Sequence, residues 1–403
     1  MVNYVFLSVY FYSVPNLRFS FEEDWCTSTI GENFRLSSGL TPSTKEKAYF
    51  NNGIIPWINS GELKNKYISF TENKLTLDAV KKHNLTIYPM DTMVIAIYGL
   101  EAAGVRGKAS ITKMDSTISQ SCMAFNSLGN VLTQFMYYVY KKEAQILGTR
   151  YAQGTKQQNL SSDLLSSYKL LYPSKEEQLK IVNFLSLIDE KIETQSKIIN
   201  DCMSYRNAIV DYFFESLSSD WKQVRLSNIL NEYSELHIKD NSIVHATLSK
   251  NGIFPKTDRY DRDFLVKDED KKYKVTHLDD ICYNPANLKF GVITRNTFGD
   301  CIISPIYITF TIKNNCLPKF VELLVTRKHF IAKARKYEQG TVYERMSVNS
   351  SDLLSMYVLI PTLFIQQKIV NIIDIIDNKI SNEQKLLNLY KTQKDYLLKN
   401  MFV

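Results

Sequence analysis

Residues 176–192 read EEQLKIVNFLSLIDEKI, and residues 364–380 read FIQQKIVNIIDIIDNKI, nearly the same segment 188 positions later. In the first copy the spacing runs 4, 3, 4, 3 through Ile181, Leu185, Ile188, Ile192, Gln195 and Ile199, and on to Cys202, Arg206, Ile209 and Phe213. The second copy gives Ile369, Ile373, Ile376, Ile380, Glu383 and Leu387, then Tyr390, Lys394, Leu397 and Met401. Both are heptad seams sustained over about five repeats. Their polar breaks also match, Gln195 with Glu383 and Arg206 with Lys394. Each helix, of about 40 residues, spans about 60 Å and needs a partner for its apolar stripe. A dimerisation coil meets that need, but two matched helices in one chain can also meet it by pairing with each other. Their net charges, −3 over 174–215 and +2 over 364–403, favour that pairing mildly. Antiparallel packing is expected to bring Gln195 close to Glu383, a polar layer of the kind that fixes register.

The rest of the chain repeats as well. YAQGT at Tyr151 answers YEQGT at Tyr337, and SDLLSSYKLLYP at Ser162 answers SDLLSMYVLIP at Ser351. ISQSCMAF at Ile118 is echoed by ISPIYITF at Ile303, while Trp25 and Trp221 open related stretches. Two copies of about 190 residues mean duplicated domains, not a solenoid. In each, short β-rich runs (DTMVIAIYG, GKASIT and SQSCMAF; DDICYNP, GVITRN and SPIYITF) precede a helical stretch, LTQFMYYVYKKEAQIL or PKFVELLVTRKHFIAKARKY. The units are therefore mixed α/β. Their middles share no pattern, which suggests one job performed on two ligands.

Composition sets further bounds. The 403 residues exceed one ordinary core, and 44% hydrophobic with 23% charged residues is a globular balance. The formal charge of +7 permits a polyanionic partner, and the excess sits mainly in two blocks, +4 over residues 1–173 and +4 over 216–363. Six cysteines without a CxxC pair, and an N-terminus with no Lys or Arg before Arg18, read as reduced thiols of a cytoplasmic protein. The apolar start MVNYVFLSVYFYSV is too short to span a bilayer.

Catalytic motifs are missing. GLEAAGVRGKAS has Ala102 and Ala109 where a phosphate loop needs Gly and Ser or Thr. YNPAN lacks the second proline and the aromatic residue of an amino-methyltransferase motif and reads as a strand ending in a turn. The five histidines show no metal-ligand spacing. What remains is binding: basic residues interleave with aromatics and amides in RYAQGTKQQN (150–159), KTDRYDRDF (256–264) and KARKYEQGTVYER (333–345). Lys and Arg hold phosphates, while Arg, Asn and Gln read base edges. The first and third clusters occupy equivalent places in the two repeats.

These pieces together resemble the DNA-specificity subunits of Type I restriction-modification systems. The resemblance runs from Val14 onward and is carried by P-x4-Q-x2-I…L-x2-ID-x-KI (Pro173 to Ile192) and its echo from Pro361 to Ile380. PNLRFSFEEDW, GIIPWINSGELKNKYI and YNPANLKFGVITRNTFGDCIISPIY also look like the family. It implies two target recognition domains, at 15–173 and 218–361, joined by helices at 174–217 and 362–403 that form an antiparallel coiled coil with pseudo-two-fold symmetry. Residues 1–14 are an atypical extension. Each domain is expected to read half of a bipartite site in double-stranded DNA. Two modification subunits carrying S-adenosylmethionine dock on the coil and methylate adenine N6, and a motor-nuclease restriction subunit using ATP and Mg joins where the complex restricts. This chain itself needs no cofactor or metal and catalyses nothing.

Candidate DNA-contacting residues in the first domain are Lys45, Trp57, Asn59, Arg106, Lys108, Gln120, Arg150, Gln153, Thr155 and Lys156. In the second they are Arg259, Arg262, Lys289, Arg295, Arg335, Lys336, Gln339, Thr341 and Arg345. Arg335 and Lys336 are expected on phosphates, Gln339 and Arg345 on base edges. A free-standing DNA-binding or recombination-reservoir copy, and a coiled-coil scaffold protein, are the alternatives.

Overall fold

The computed structural model of the chain describes residues 14–102, 104–154, 158–217, 219–238, 242–256, 272–340 and 346–403. The extension read at 1–14 falls, except for Val14, outside them. The chain divides into two compact units, 1–196 with 386–403, and 197–385. Each unit thus holds a stretch of both long helices, Lys175–Ser216 and Leu363–Met401.

The duplication is visible strand by strand. In the first unit one sheet has the order Phe34–Ser38, Cys122–Ser127, Met93–Ala96, Ala109–Thr112, with Tyr67–Ile68 added at the edge. In the second the order Leu230–Tyr233, Ile308–Ile312, Ile281–Tyr283, Ile293–Arg295 repeats it. A separate antiparallel pair also recurs, Cys26–Thr29 with Lys169–Tyr172 and Lys222–Arg225 with Tyr357–Ile360. The middles share three strands before they diverge: Ile55–Ile58 runs antiparallel to Lys74–Leu75 and parallel to Thr117–Ile118, as Val244–Ser249 does to Gly252–Pro255 and Cys301–Ile303. The first unit adds a three-stranded sheet (Lys74–Leu75, Ile55–Ile58, Thr117–Ile118), and the second a five-stranded one from Leu236–Ile238, Lys272–Thr276, Cys301–Ile303, Val244–Ser249 and Gly252–Pro255.

Each core is closed by a helix end. In the first unit Phe402 packs on Phe135 (ring centroids 5.3 Å apart), which also meets Trp25 at 6.0 Å. In the second, Phe214 stacks on Phe320 at 5.4 Å, and Trp221 lies 5.9 Å from the same ring. The seam residues Ile181, Leu185, Ile188, Ile369 and Ile373 are buried in these cores with Leu397, Met401 and Val210. Ile199 and Ile380 are buried too, while Ile192, Ile376 and Leu387 are half-buried. Within the first unit Asp189 meets Lys394 and Lys191 lies over Tyr390, so the two helices run antiparallel there. In the second, Arg206 meets Asp377 while Phe213 and Phe214 share a core with Ile369 and Val370, which is again antiparallel.

The P-x4-Q element has a structural reason. Gln178, fully buried, accepts from the amide of Leu132 (2.8 Å) and donates to the carbonyls of Asn130 (3.2 Å) and Pro173 (2.9 Å). It thereby fastens the start of helix Thr133–Ile146 to the start of the long helix. Gln366 does the same with Leu317 (2.9 Å), Asn315 (3.3 Å) and Pro361 (3.0 Å).

One expected element differs. The helical stretch from Pro318 breaks into Pro318–Val325 and Lys328–Ala334. Arg327 at the break is extended (ψ 141°), its guanidinium 4.5 Å over the Phe214 ring and paired with Asp211 and Glu215. Those tertiary contacts outweigh helix propensity at that residue.

Candidate nucleic-acid interface

In the first unit, the segment after strand Met93–Ala96 meets the segment after helix Thr133–Ile146. Leu160 donates to the Ile97 carbonyl (3.0 Å) and Leu100 to that of Gln158 (3.1 Å). Gln153 and Asn159 exchange backbone hydrogen bonds of 2.9 and 2.8 Å, forming a small loop through Gly154 at φ +113°. At the equivalent place in the second unit Gln339 and Ser347, two residues further apart, exchange bonds of 2.8 and 2.9 Å, with Gly340 at φ +149°. Such positive φ values suit glycine, which explains the G of both QGT sequences.

Each loop is moored to its scaffold. Val348 donates to the Pro285 carbonyl (3.2 Å), and the hydroxyl of buried Tyr283 donates to Val348 (3.1 Å). YNPAN is a strand ending in a turn: Asn284, buried, caps the amide of Ala286 at 3.1 Å. On the first side Lys141 donates to the Gly107 carbonyl at 2.6 Å, and burial pushes its ammonium down to about 8.

Residues 22–201 match the family described as the Type I restriction modification DNA specificity domain. The chain resembles the Type I specificity subunits. It is 25% identical over 420 residues to the Type I restriction enzyme MjaIX specificity subunit of Methanocaldococcus jannaschii, covering 93% of this chain and 92% of that one. Its fold resembles the crystal structure of a Type I restriction-modification S subunit from M. genitalium (TM-score 0.55, 17% identity, 97% of this chain and 99% of that one). It also resembles a chain from a structural study of assembly and conformational transition in the type I restriction-modification system (TM-score 0.59, 11% identity, 94% and 97% of the two chains).

In the structure the candidate residues separate. Gln153 is exposed on the first loop and Arg150 on the helical turn Leu147–Tyr151 just before it, with Lys108 half-buried on the adjoining segment. Lys289 and Arg335 line one concavity of about 360 Å3 in the second unit, together with Lys328, which sequence reasoning missed. Lys336 is exposed beside them. Arg335 also approaches Glu338 at 3.3 Å, and Gln339 donates to Asp352 at 2.7 Å, so a base contact by Gln339 requires that bond to open. Lys45 and Gln120 are exposed near the three-stranded sheet, where the Gln120 amide reaches Thr41 at 3.4 Å.

Four candidates have structural duties instead. Trp57 is buried against Phe50 and Leu75 in a small core. The Asn59 side chain accepts from the Gly61 amide at 2.8 Å to make a local turn. Arg106 donates to the Leu100 carbonyl at 2.7 Å and packs against Gly148, joining the two loop segments. Arg295 is held by Asp279 (2.6 Å) and Glu322 (3.0 Å), which leaves its guanidinium no fork for a base. Thr155, Lys156, Arg259, Arg262, Thr341 and Arg345 lie outside the described residues.

Among the described residues no cluster of three or more His, Cys, Asp or Glu is placed to hold a metal, and no helix is long and apolar enough to cross a membrane. Burial pushes the thiols of Cys122 and Cys282 up to about 11 and 12, which makes them poor nucleophiles.

Proposed function

We propose that each unit of this specificity subunit reads one half of a bipartite site in double-stranded DNA, and that the paired helices set the distance between halves. The observation that carries this reading is the pairing of like with unlike. Two scaffold sheets of the same order stand beside Gln-Gly turns at equivalent places, while the further sheets share three strands and then diverge, the second unit adding Leu236–Ile238 and Lys272–Thr276. A shared scaffold fixes how a unit approaches the duplex, and divergent elements let each read different bases. Partner subunits supply the chemistry: two modification subunits holding S-adenosylmethionine methylate adenine N6, and a motor-nuclease subunit with ATP and Mg cuts where restriction occurs. The chain itself is non-catalytic. Its similarity to proteins named as specificity subunits of Type I restriction enzymes supports this division of labour.

Exchanging residues 218–361 for the corresponding segment of a related subunit tests the reading. Methylation mapping should show the half-site read by residues 15–173 retained and the donor's other half acquired. A hybrid that keeps both original halves, or changes both, refutes it.

The basic concavity makes a separate expectation. Lys328→Ala with Arg335→Ala should weaken binding on cognate and scrambled duplexes alike, and lower the slope of log K against log salt by about 0.9 for each phosphate that is no longer neutralised. Weaker binding confined to cognate DNA, with an unchanged salt slope, rules out a phosphate role for this pair.

A further inference from the structure

The repeated motif ends in I-D-x-K-I, and both of its aspartates stand at three-way junctions. The first carboxylate, Asp189, meets Lys394 of the facing helix at 2.6 Å. It also accepts from the Tyr138 hydroxyl at 2.7 Å and lies 3.8 Å from the ammonium of Lys66. Lys66 donates in turn to Tyr138 (2.7 Å) and Ser186 (2.8 Å). The second carboxylate, Asp377, is gripped by the Arg206 guanidinium of the facing helix and by Lys319 of the globular body at 2.8 Å. Lys319 lies 3.9 Å from Glu322, which Arg295 binds at 3.0 Å.

The helix-borne partners are related by the duplication: Asp189 and Asp377 are 188 residues apart, as are Arg206 and Lys394. The cationic breaks in the two seams, Arg206 and Lys394, are therefore the helix-borne cations of these junctions. The body-borne partners are not so related. Lys66 stands beside strand Tyr67–Ile68, which has no counterpart in the second scaffold sheet among the described residues, whereas Lys319 lies in the first turn of helix Pro318–Val325. Duplication alone hands down the same cation at the same place. Here two different elements bring a lysine to the same carboxylate. All six charged groups are largely shielded, with side chains between 11% and 28% exposed.

We propose that Asp189 and Asp377 are positioning residues that fix the angle of each recognition domain on the helix pair, and so confine the subunit to one spacer length between half-sites. The inference rests on the bipartite reading above. One added base pair moves a half-site by about 3.4 Å and turns it by about 35°, so a rigidly held domain must reject it. In the second unit burial opposes ionisation of Asp377, but hydrogen bonds from Arg206 and Lys319 prevail and hold its carboxyl below the usual range. Burial lowers the Lys66 ammonium, a pull that the Asp189 charge opposes.

The test uses the complete complex with its methyltransferase subunits and duplexes whose spacer is the original length or one base pair longer or shorter. Asp189→Asn and Asp377→Asn should reduce the preference for the original spacer at least roughly fivefold, leaving the sequence preference at each half-site unchanged. Lys66→Met and Lys319→Met keep the helix-to-helix ion pairs and remove only the body anchor; they should relax the spacer in the same way. The two lysine variants decide the question should the aspartate variants fail to fold. Asp189→Glu and Asp377→Glu, which keep the charge, should retain most of the discrimination. Lower stability or overall rate with an unchanged spacer profile, in the lysine variants or in both sets, overturns the inference. A wild-type complex with no spacer dependence at all overturns the bipartite reading itself.

Discussion

Inserting one heptad in each long helix, after Gln195 and after Glu383, should abolish methylation at the original site or move it to a longer spacer. Seven residues add about 10 Å to each helix and return every seam residue to its face, so the apolar stripe survives the change. The added length corresponds to about three base pairs at 3.4 Å each, with a rotation of roughly 100° about the duplex axis. No side-chain adjustment absorbs that. Methylation mapped on a library of spacer lengths reads the outcome directly. A lengthened subunit that still modifies only the original spacing would show that the helices are not a ruler, whatever the domains read.

Gln178→Ala and Gln366→Ala should be the most destabilising single substitutions at the helix starts. Each removes three hydrogen bonds from a fully buried side chain and strands one backbone amide and two carbonyls. Unsatisfied buried groups cost about 1–3 kcal/mol each, part of it recoverable by water, so a loss of about 2–4 kcal/mol is expected per substitution. In a unit of this size that lowers the melting temperature by roughly 5–15 °C. The neighbouring Gln367, exposed and bonded only to Asn371 within its own helix, is the control, and Gln367→Ala should stay within about 0.5 kcal/mol of wild type. Equal melting temperatures for Gln178→Ala and Gln367→Ala would remove the buried amide from any account of the motif.

What could be read in the sequence was what repeats locally. The seams were legible because a 3.5-residue period is written in consecutive residues, and the scaffold strands because Gly and Pro punctuate short apolar runs. The equivalence of the QGT loops followed from their shared offset. What escaped reading depends on partners far along the chain. Arg295 looked like a free cation, yet its carboxylates come from Asp279 and from Glu322 on a later helix. Trp57 was a DNA-contact candidate, yet Phe50, Leu75 and Val80 enclose it. The helix break at Arg327 is set by Asp211 and Glu215, more than a hundred residues earlier. Gln178 and Gln366 were visible as a motif, but only their burial reveals them as fasteners. Strands Leu236–Ile238 and Lys272–Thr276 were illegible because the described residues of the first unit offer no strand to compare with them.

The closing of each core by a helix end has a consequence for the order of synthesis. Phe135 and Trp25 leave the ribosome early, but their cover, Phe402, lies 267 residues after Phe135. The second unit waits less, since Ile373 of its core follows Phe214 by 159 residues. At about 5–20 residues per second, the first unit stands open for about 10–50 s with an apolar face exposed. Long-range contacts of this kind also slow folding, because loop closure must come before their gain. The unit that is translated first is therefore the last to be completed.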